Sequence, residues 1–417
     1  MQPIKLLHTA DLHIGMENYG GIDPATGMHS RVMDFLRRLT DMADYAIDQA
    51  VDIFVFAGDA YKMREPNATF QREFARRIKR VADAGIPVIL LVGNHDLHTA
   101  QRRAPAISIF ATLDVPNVYV GAGYELLTVQ CRQGQVLQVA TAPFPLREDH
   151  ALREEWEKKS VDFQDALISE RLTARILDLA EQASRKTDIP TILVGHFSVD
   201  QASLGSERSI MVGRDVAVDR SVALAHPIWR YVALGHIHKH QSLNRDQQPP
   251  IIYSGSPERV DFGEEKDPKG WVVATIGDGP TSWEFVEHYR RPARRFLTLD
   301  IDVREADDPT AAVVERISAA GDLAGAVVRV RLVFDEAQQA MLVDRDIAAA
   351  LKTTFHAKVE RDVRRRLRDP LGGVSVEALT PAQMLERYLE SRDIEPARAQ
   401  LLLQYAGELI REVESND

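Results

Sequence analysis

Short apolar runs, each followed closely by histidine, aspartate or glycine, constrain the fold of this chain more than any other feature. Ile4–Leu7, Ile53–Ala57, Val88–Val92, Ile192–Val194, Val232–Leu234 and Ile251–Tyr253 are rich in Val and Ile and bounded by polar or Gly positions. Runs of this kind read as strands buried on both faces. Between several of them, Arg31–Gln49, Thr69–Ala84 and Phe163–Ala183 carry apolar residues at helical spacing; Ile168, Leu172, Ile176, Leu177 and Leu179 form one broad apolar side. Strands alternating with helices predict an α/β layered fold. The polar, Gly-containing stretch Asp200–Arg220 reads as a long loop, a candidate lid or substrate-contact element.

The residues just after each run carry the chemistry. Asp11-Leu12-His13 succeeds the first strand, Gly58-Asp59 the second and Gly93-Asn94-His95-Asp96 the third; Gly195-His196 and Gly235-His236-Ile237-His238 succeed two more. In open α/β sheets, ligands bind outside the carboxyl ends of the strands. Each block alone has an ordinary explanation: Asp-x-His is a common surface triplet, and Gly with Asp suits a turn. Together, in this order, they predict a site for two divalent metals. Imidazole and carboxylate favour manganese, iron or zinc, and one carboxylate can bridge ions ~3.5–4 Å apart.

Composition narrows the setting. Lys plus Arg is 51 and Asp plus Glu is 62, a net charge of −11. A whole-molecule basic field is absent, so any nucleic-acid contact must come from local patches or bound metal. Cys131 is the one cysteine, which rules out an intrachain disulfide and cysteine-ligated zinc clusters. No basic stretch followed by an apolar one opens the chain, and no apolar run approaches the ~20 residues of a membrane span. The expectation is a cytoplasmic protein without membrane attachment.

The five blocks resemble the pattern of the calcineurin-like metallophosphoesterase superfamily, over about residues 4–275. The resemblance implies a four-layer αββα metallophosphoesterase sandwich. It implies one metal held by Asp11, His13, Asp59 and His238, and a second held by Asp59, Asn94, His196 and His236. His95 would not ligate but would protonate or stabilise the leaving oxygen, a task that suits imidazole. Asp96 is placed to orient His95 or a nearby main chain, or simply to cap the loop. Tyr253-Ser254-Gly255-Ser256-Pro257-Glu258-Arg259-Val260-Asp261-Phe262-Gly263-Glu264-Glu265, followed by Lys269-Gly270-Trp271, resembles the SbcD family of bacterial double-strand-break-repair nucleases. That likeness implies two Mn²⁺ ions, 3′–5′ double-strand exonuclease and single-strand endonuclease activity, and association with the nucleoid. It also implies an SbcC-like coiled-coil ATPase as partner, DNA ends, hairpins and single strands as substrates, and a homodimer within a heterotetramer. One departure stands out: after Asp59 comes Ala60-Tyr61-Lys62, where the family usually has Asp or His at the position of Lys62. Lys62 either contacts DNA phosphate or lies on the surface.

The rest of the chain fits that layout. The expected boundaries are a nuclease domain at 1–289, a small α+β capping domain at 290–372 and a helical partner-binding segment at 373–417. Phe296–Val303 and Ala326–Phe334 alternate as half-buried strands do, Asp308-Pro309 opens a helix, Asp344–Phe355 reads as helical and Ala357–Arg366 as extended. Gly372-Gly373 marks a break, and helices start at Pro381 and Pro396. Four Arg lie within Arg290–Arg295, and five within Arg361–Arg368. Arg294, Arg295, Arg329, Arg331, Arg364 and Arg365 are candidate DNA contacts, against the alternative of a solvated face. Leu385, Tyr388, Leu389, Leu402, Tyr405 and Leu409 belong to apolar stripes that would either dock a partner's coiled coil or pack on their own domain. Two other function classes remain open: a small-molecule phosphodiesterase using the same metals, and a DNA-tethering protein with an inactive site.

Overall fold

The computed structural model describes residues 2–97, 103–145, 160–200, 202–203, 217–218, 223–245, 247–364, 379–391 and 394–414. The chain divides into two compact units. The first comprises Met1–Thr298, Asp322–Arg329 and Thr353–Lys358, the second Leu299–Gly321, Val330–Lys352 and Val359–Asp417.

In the first unit, elements run β1 (Ile4–Thr9), α1 (Ser30–Asp48), β2 (Ile53–Phe56), α2 (Ala68–Asp83), β3 (Val88–Leu91), α3 (Ile109–Thr112), β4 (Val118–Gly121), β5 (Glu125–Gln130), β6 (Val136–Ala142) and α4 (Val161–Ala183). There follow β7 (Thr191–His196), β8 (Ser198–Val199), β9 (Ala217–Val218), β10 (Trp229–Gly235), β11 (Gln241–Ser242), β12 (Ile251–Tyr253), β13 (Trp271–Ile276) and β14 (Ser282–Val286). Two six-stranded sheets result, ordered β14-β13-β1-β2-β3-β4 and β11-β12-β10-β7-β6-β5. The centre of each is parallel: β1-β2-β3-β4 in one, β12-β10-β7-β6 in the other.

Alternation along each strand explains the layers. On the first sheet, Leu7, Phe54, Phe56 and Leu90 pack under α1 and α2 with Val32, Phe35, Phe74 and Ile78. Their neighbours Leu6, Ile53, Val55 and Ile89 point the other way, onto Val139, Ile192, Val194 and Ala233 of the second sheet. Leu193, Val232 and Leu234, on that sheet's far face, pack with Leu172, Ile176 and Leu179 of α4. Helices, sheet, sheet, helix: this is the four-layer αββα sandwich. Helix starts follow their side chains: Asn67 Oδ1 accepts from Phe70 N at 2.9 Å, and the Ser160 hydroxyl accepts from Phe163 N at 3.3 Å.

The six apolar runs correspond to β1, β2, β3, β7, β10 and β12. They did not signal β4–β6 or β13–β14. Of these, β5 and β14 are antiparallel edge strands with half-exposed or exposed residues, so they lack a continuous apolar run.

β15 (Phe296–Asp302), β16 (Val327–Asp335) and β17 (His356–Arg364) form a three-stranded sheet in that order. In the second unit, α5 (Pro309–Ala319) starts with Pro309, and the Asp308 carboxylate accepts from Ala311 N at 2.9 Å. α6 (Asp344–Ala350) is shorter than the expected 344–355 helix. It stops where Leu351 caps it, before the β-branched pair Thr353-Thr354. α7 (Pro381–Ser391) and α8 (Pro396–Glu414) follow. The Gly372-Gly373 break and most of the 200–220 loop lie outside the described residues. No helix among the described residues is long and apolar enough to cross a membrane.

Candidate metal centre

The carboxyl ends of β1, β2, β3, β7 and β10 converge, three from one sheet and two from the other. Hydrogen bonding continues beyond the strands and sets the loops. Asp11 N donates to Gly58 O at 3.0 Å, His13 N to Asp59 O at 3.1 Å and Ile14 N to Ala60 O at 3.0 Å. Both Asp11 carboxylate oxygens lie 3.0 Å from the donating His236 N, which joins the two sheets at the site. Gly58 has φ +100°, and a Cβ there would fall on the His196 ring. Glycine is therefore required twice over at that position, by conformation and by contact.

Seven of the expected side chains gather in two overlapping donor clusters. In one, His13 Nε2 lies 3.0 Å from His238 Nε2 and 3.7 Å from Asp59 Oδ2; Asp11 groups with these two histidines within 4.8 Å. In the other, Asn94 Oδ1 lies 3.0 Å from both His196 Nε2 and His236 Nδ1, and His196 Nε2 lies 3.4 Å from Asp59 Oδ2. Asp59 belongs to both. Aromatic nitrogens and carboxylate oxygens converging at these distances, nearly all buried, fit a pair of divalent cations. The fit extends to the outer ring atoms: His196 Nδ1 donates to Ala57 O at 2.7 Å, leaving Nε2 for the site. His95 also lies within 4.8 Å of a His13–Asp59 grouping.

The charges are finely opposed. Burial works against the Asp59 carboxylate, but the flanking His196 and His95 hold it well below the usual carboxylate range. Burial pushes Asp11 up. Burial, with Asp59 beside it, raises Asp96 to about 7. Burial also opposes the His196 cation, yet Asp59 outweighs it and lifts that imidazole to about 9. His13 is pushed down by burial and by His95.

His95 is set from two sides: its backbone N donates to Asp59 Oδ1 at 2.8 Å, and its Nδ1 donates to the Lys62 carbonyl at 3.0 Å. Asp96 does not hold the His95 ring. Its Oδ2 accepts from Gly93 N at 3.0 Å and Asp59 N at 3.1 Å, so it orders the main chain around Asp59. The Lys62 side chain is half-buried, and burial lowers its pKa while Asp59 acts the other way. Sequence reasoning did not single out Phe144, whose ring lies 5.5 Å from His236 and 6.4 Å from His196. Nor did it give a role to Glu264, whose Oε1 is 2.7 Å from His238 Nδ1. A lone Phe between prolines carries no site signal in one sequence, and Glu264 entered only within a family-like segment that gave it no role.

The basic candidates differ in the partners they hold. Arg294 donates to both Asp34 oxygens at 2.5 and 2.6 Å and to Gly325 O at 2.6 Å, and lies over the Phe355 ring. Arg294 therefore acts as a clamp within its unit. Arg329 lies over Phe262 and donates to Thr298 Oγ1. Arg295 faces Asp322, Arg331 faces Asp300 and Arg364 faces Asp362, all in exposed pairs. Arg365 lies outside the described residues. On α7 and α8, Leu389 is buried and Leu385 half-buried, while Tyr388, Leu402, Tyr405 and Leu409 are exposed.

A model of the calcineurin-like phosphoesterase family matches residues 4–240. That is over half of the chain, and the chain belongs to this family of metal-dependent phosphoesterases. Within it the chain is SbcD-like. It is 29% identical over 272 residues to the SbcD component of nuclease SbcCD from Rhodobacter capsulatus, covering 61% of this chain and 62% of that protein. It is 27% identical over 296 residues to the SbcD component of nuclease SbcCD from Bacillus subtilis, covering 68% and 69%. It is 24% identical over 313 residues to the DNA double-strand break repair protein Mre11 of Aeropyrum pernix, covering 72% and 64%. The match thus spans less than two thirds of the Rhodobacter and Aeropyrum relatives.

Proposed function

We propose that this protein is a Mn²⁺-dependent DNA nuclease, a 3′–5′ double-strand exonuclease and single-strand endonuclease that processes DNA ends with an SbcC-like coiled-coil ATPase. The observation that carries the reading is Asp59, one carboxylate shared by two donor clusters at the meeting of two sheets. In this reading Asp11, His13, Asp59 and His238 hold one ion, and Asp59, Asn94, His196 and His236 the other. Two dications held by these residues would offset the charge developing on a phosphoryl group and would acidify the attacking water.

The chain's own residues do the rest. The His95 amide donates to Asp59 Oδ1 and orients that carboxylate between the two donor clusters, where it would be shared by the two ions. His95, with Nδ1 committed to the Lys62 carbonyl, keeps Nε2 for the leaving oxygen and delivers a proton there. The Lys62 ammonium, near Asp59, contacts substrate phosphate. Arg295, Arg331 and Arg364 are in exposed ion pairs, which are weak enough to exchange for DNA phosphates without reading sequence. The exposed apolar residues of α7 and α8 receive the ATPase's coiled coil, and the working assembly is a homodimer within a heterotetramer.

Cleavage of linear duplex and circular single-stranded DNA with Mn²⁺, with and without the ATPase, tests this. Wild type should cut both, and His95→Ala should cut about 10²–10⁴-fold more slowly. Hydrolysis of a small phosphodiester without cleavage of either DNA would keep the metal site and replace the substrate.

A further inference from the structure

Beneath the metal centre lie two oppositely charged residues that the proposed hydrolysis does not use. Glu264 is fully buried and Lys269 is 3% exposed. Both lie between β12 and β13. Glu264 ends a short turn, Phe262–Glu264, in which the Asp261 side chain accepts from Gly263 N at 2.7 Å. Its carboxylate is saturated: Oε1 is 2.7 Å from His238 Nδ1, while Oε2 accepts from Lys269 Nζ and Val260 N at 2.8 Å and from Ser256 Oγ at 3.3 Å. Lys269 Nζ donates further to Ser256 Oγ at 2.8 Å and to the His238 carbonyl at 3.1 Å. A buried ion pair is weak evidence for stability, because desolvation opposes it. This one grips both the ring and the main chain of a single histidine.

The four histidines of the centre are anchored differently. His196 Nδ1 donates to a carbonyl, and His236 turns Nδ1 toward Asn94. His13 Nδ1 is buried with no hydrogen-bond partner among the described residues. His238 meets a carboxylate at the ring nitrogen that faces away from the site. An ionised carboxylate accepts and cannot donate. It therefore places the His238 proton on Nδ1 and leaves the Nε2 lone pair directed at His13 Nε2, 3.0 Å away.

We propose that Glu264, oriented by Lys269, is a positioning residue that holds the His238 proton on Nδ1 and so keeps Nε2 available to one of the two metal positions. This rests on the reading of the site as a metal pair. The other position, built from His196, His236, Asn94 and Asp59, does not depend on Glu264.

The decisive substitution is Glu264→Gln. Lys269 would take the amide oxygen, turning the amide NH₂ toward His238 Nδ1. That nitrogen must then accept, and the proton moves to Nε2, where it blocks the ligand position. Two readouts apply to protein stripped with EDTA: calorimetric titration with Mn²⁺ alone, and ¹⁵N NMR of the His238 ring nitrogens. Wild type should show the proton on Nδ1 and two binding events. Glu264→Gln should show it on Nε2, with one event weakened about 10–100-fold and the other unchanged. Two wild-type-like events in Glu264→Gln would overturn the proposal and leave the metal pair standing. A wild-type His238 carrying its proton on Nε2 would overturn it without any variant, even if Glu264→Gln fails to fold. Wild type binding no Mn²⁺ would overturn both the proposal and the reading beneath it.

Discussion

Four side chains of the centre stand on backbone that L-residues rarely adopt: Asp11 at φ 55°, His13 at 48°, Asp59 at 58° and His236 at 95°. Such conformations cost about 1–3 kcal/mol each and persist where surrounding bonds impose them. Here the ladder from Asp11, His13 and Ile14 to residues 58–60 holds the first three, and the Asp11 carboxylate, accepting from His236 N, holds the fourth. A different kind of polar residue lies between the sheets. The His8 ring Nδ1 is 3.0 Å from the Tyr231 hydroxyl, and burial, reinforced by His240, lowers its pKa from 6.5 to about 3. Between those values the unfolded chain binds a proton that the folded chain refuses. Its contribution to stability is therefore intact above pH 6.5 and lost as pH falls toward 3. From pH 7 to pH 5 this one group should cost about 2 kcal/mol of unfolding free energy. Urea unfolding of wild type and His8→Gln at both pH values checks it; equal losses in the two proteins would refute the assignment. At this scale the sequence was legible for the identity of the donors, because Asp, His and Asn recur after apolar runs. It was silent on their supports. Nothing in Glu264-Glu265 or Lys269 says that they reach back to His238, because that contact depends on a tertiary path across 26 residues.

At the scale of elements, the parallel strands place every donor just past a carboxyl end, and glycines let neighbouring ends approach. Gly58→Ala would combine a disfavoured φ with a clash against His196. The expected result is a loss of about 1–3 kcal/mol in stability together with weakened Mn²⁺ binding, read by urea unfolding and calorimetry. Wild-type values in both would show that the approach is not needed. Six buried strands were readable because they are apolar on both faces, but β6 and β13, also buried inside their sheets, were not. The edges β5 and β14 were not, and the end of α6 was misplaced because an apolar pattern continued past the helix to Phe355. Local patterning reports burial well and chain reversal poorly.

For the whole molecule, net charge and site pull in different directions. The chain carries −11 overall, while the proposed substrate is a polyanion, so attraction must come from bound dications and a few exposed arginines. The proposed division of labour puts chemistry in the first unit and partner contact in α7 and α8. The most direct test is hydrolysis of a small phosphodiester by EDTA-stripped protein as Mn²⁺ is added back, using wild type, Asp59→Asn and a chain lacking residues 375–417. No hydrolysis is expected before Mn²⁺, then full recovery in wild type and the shortened chain, and at least about a 100-fold deficit in Asp59→Asn. Hydrolysis that persists in EDTA, or an Asp59→Asn protein as active as wild type, would contradict a metal pair bridged by Asp59.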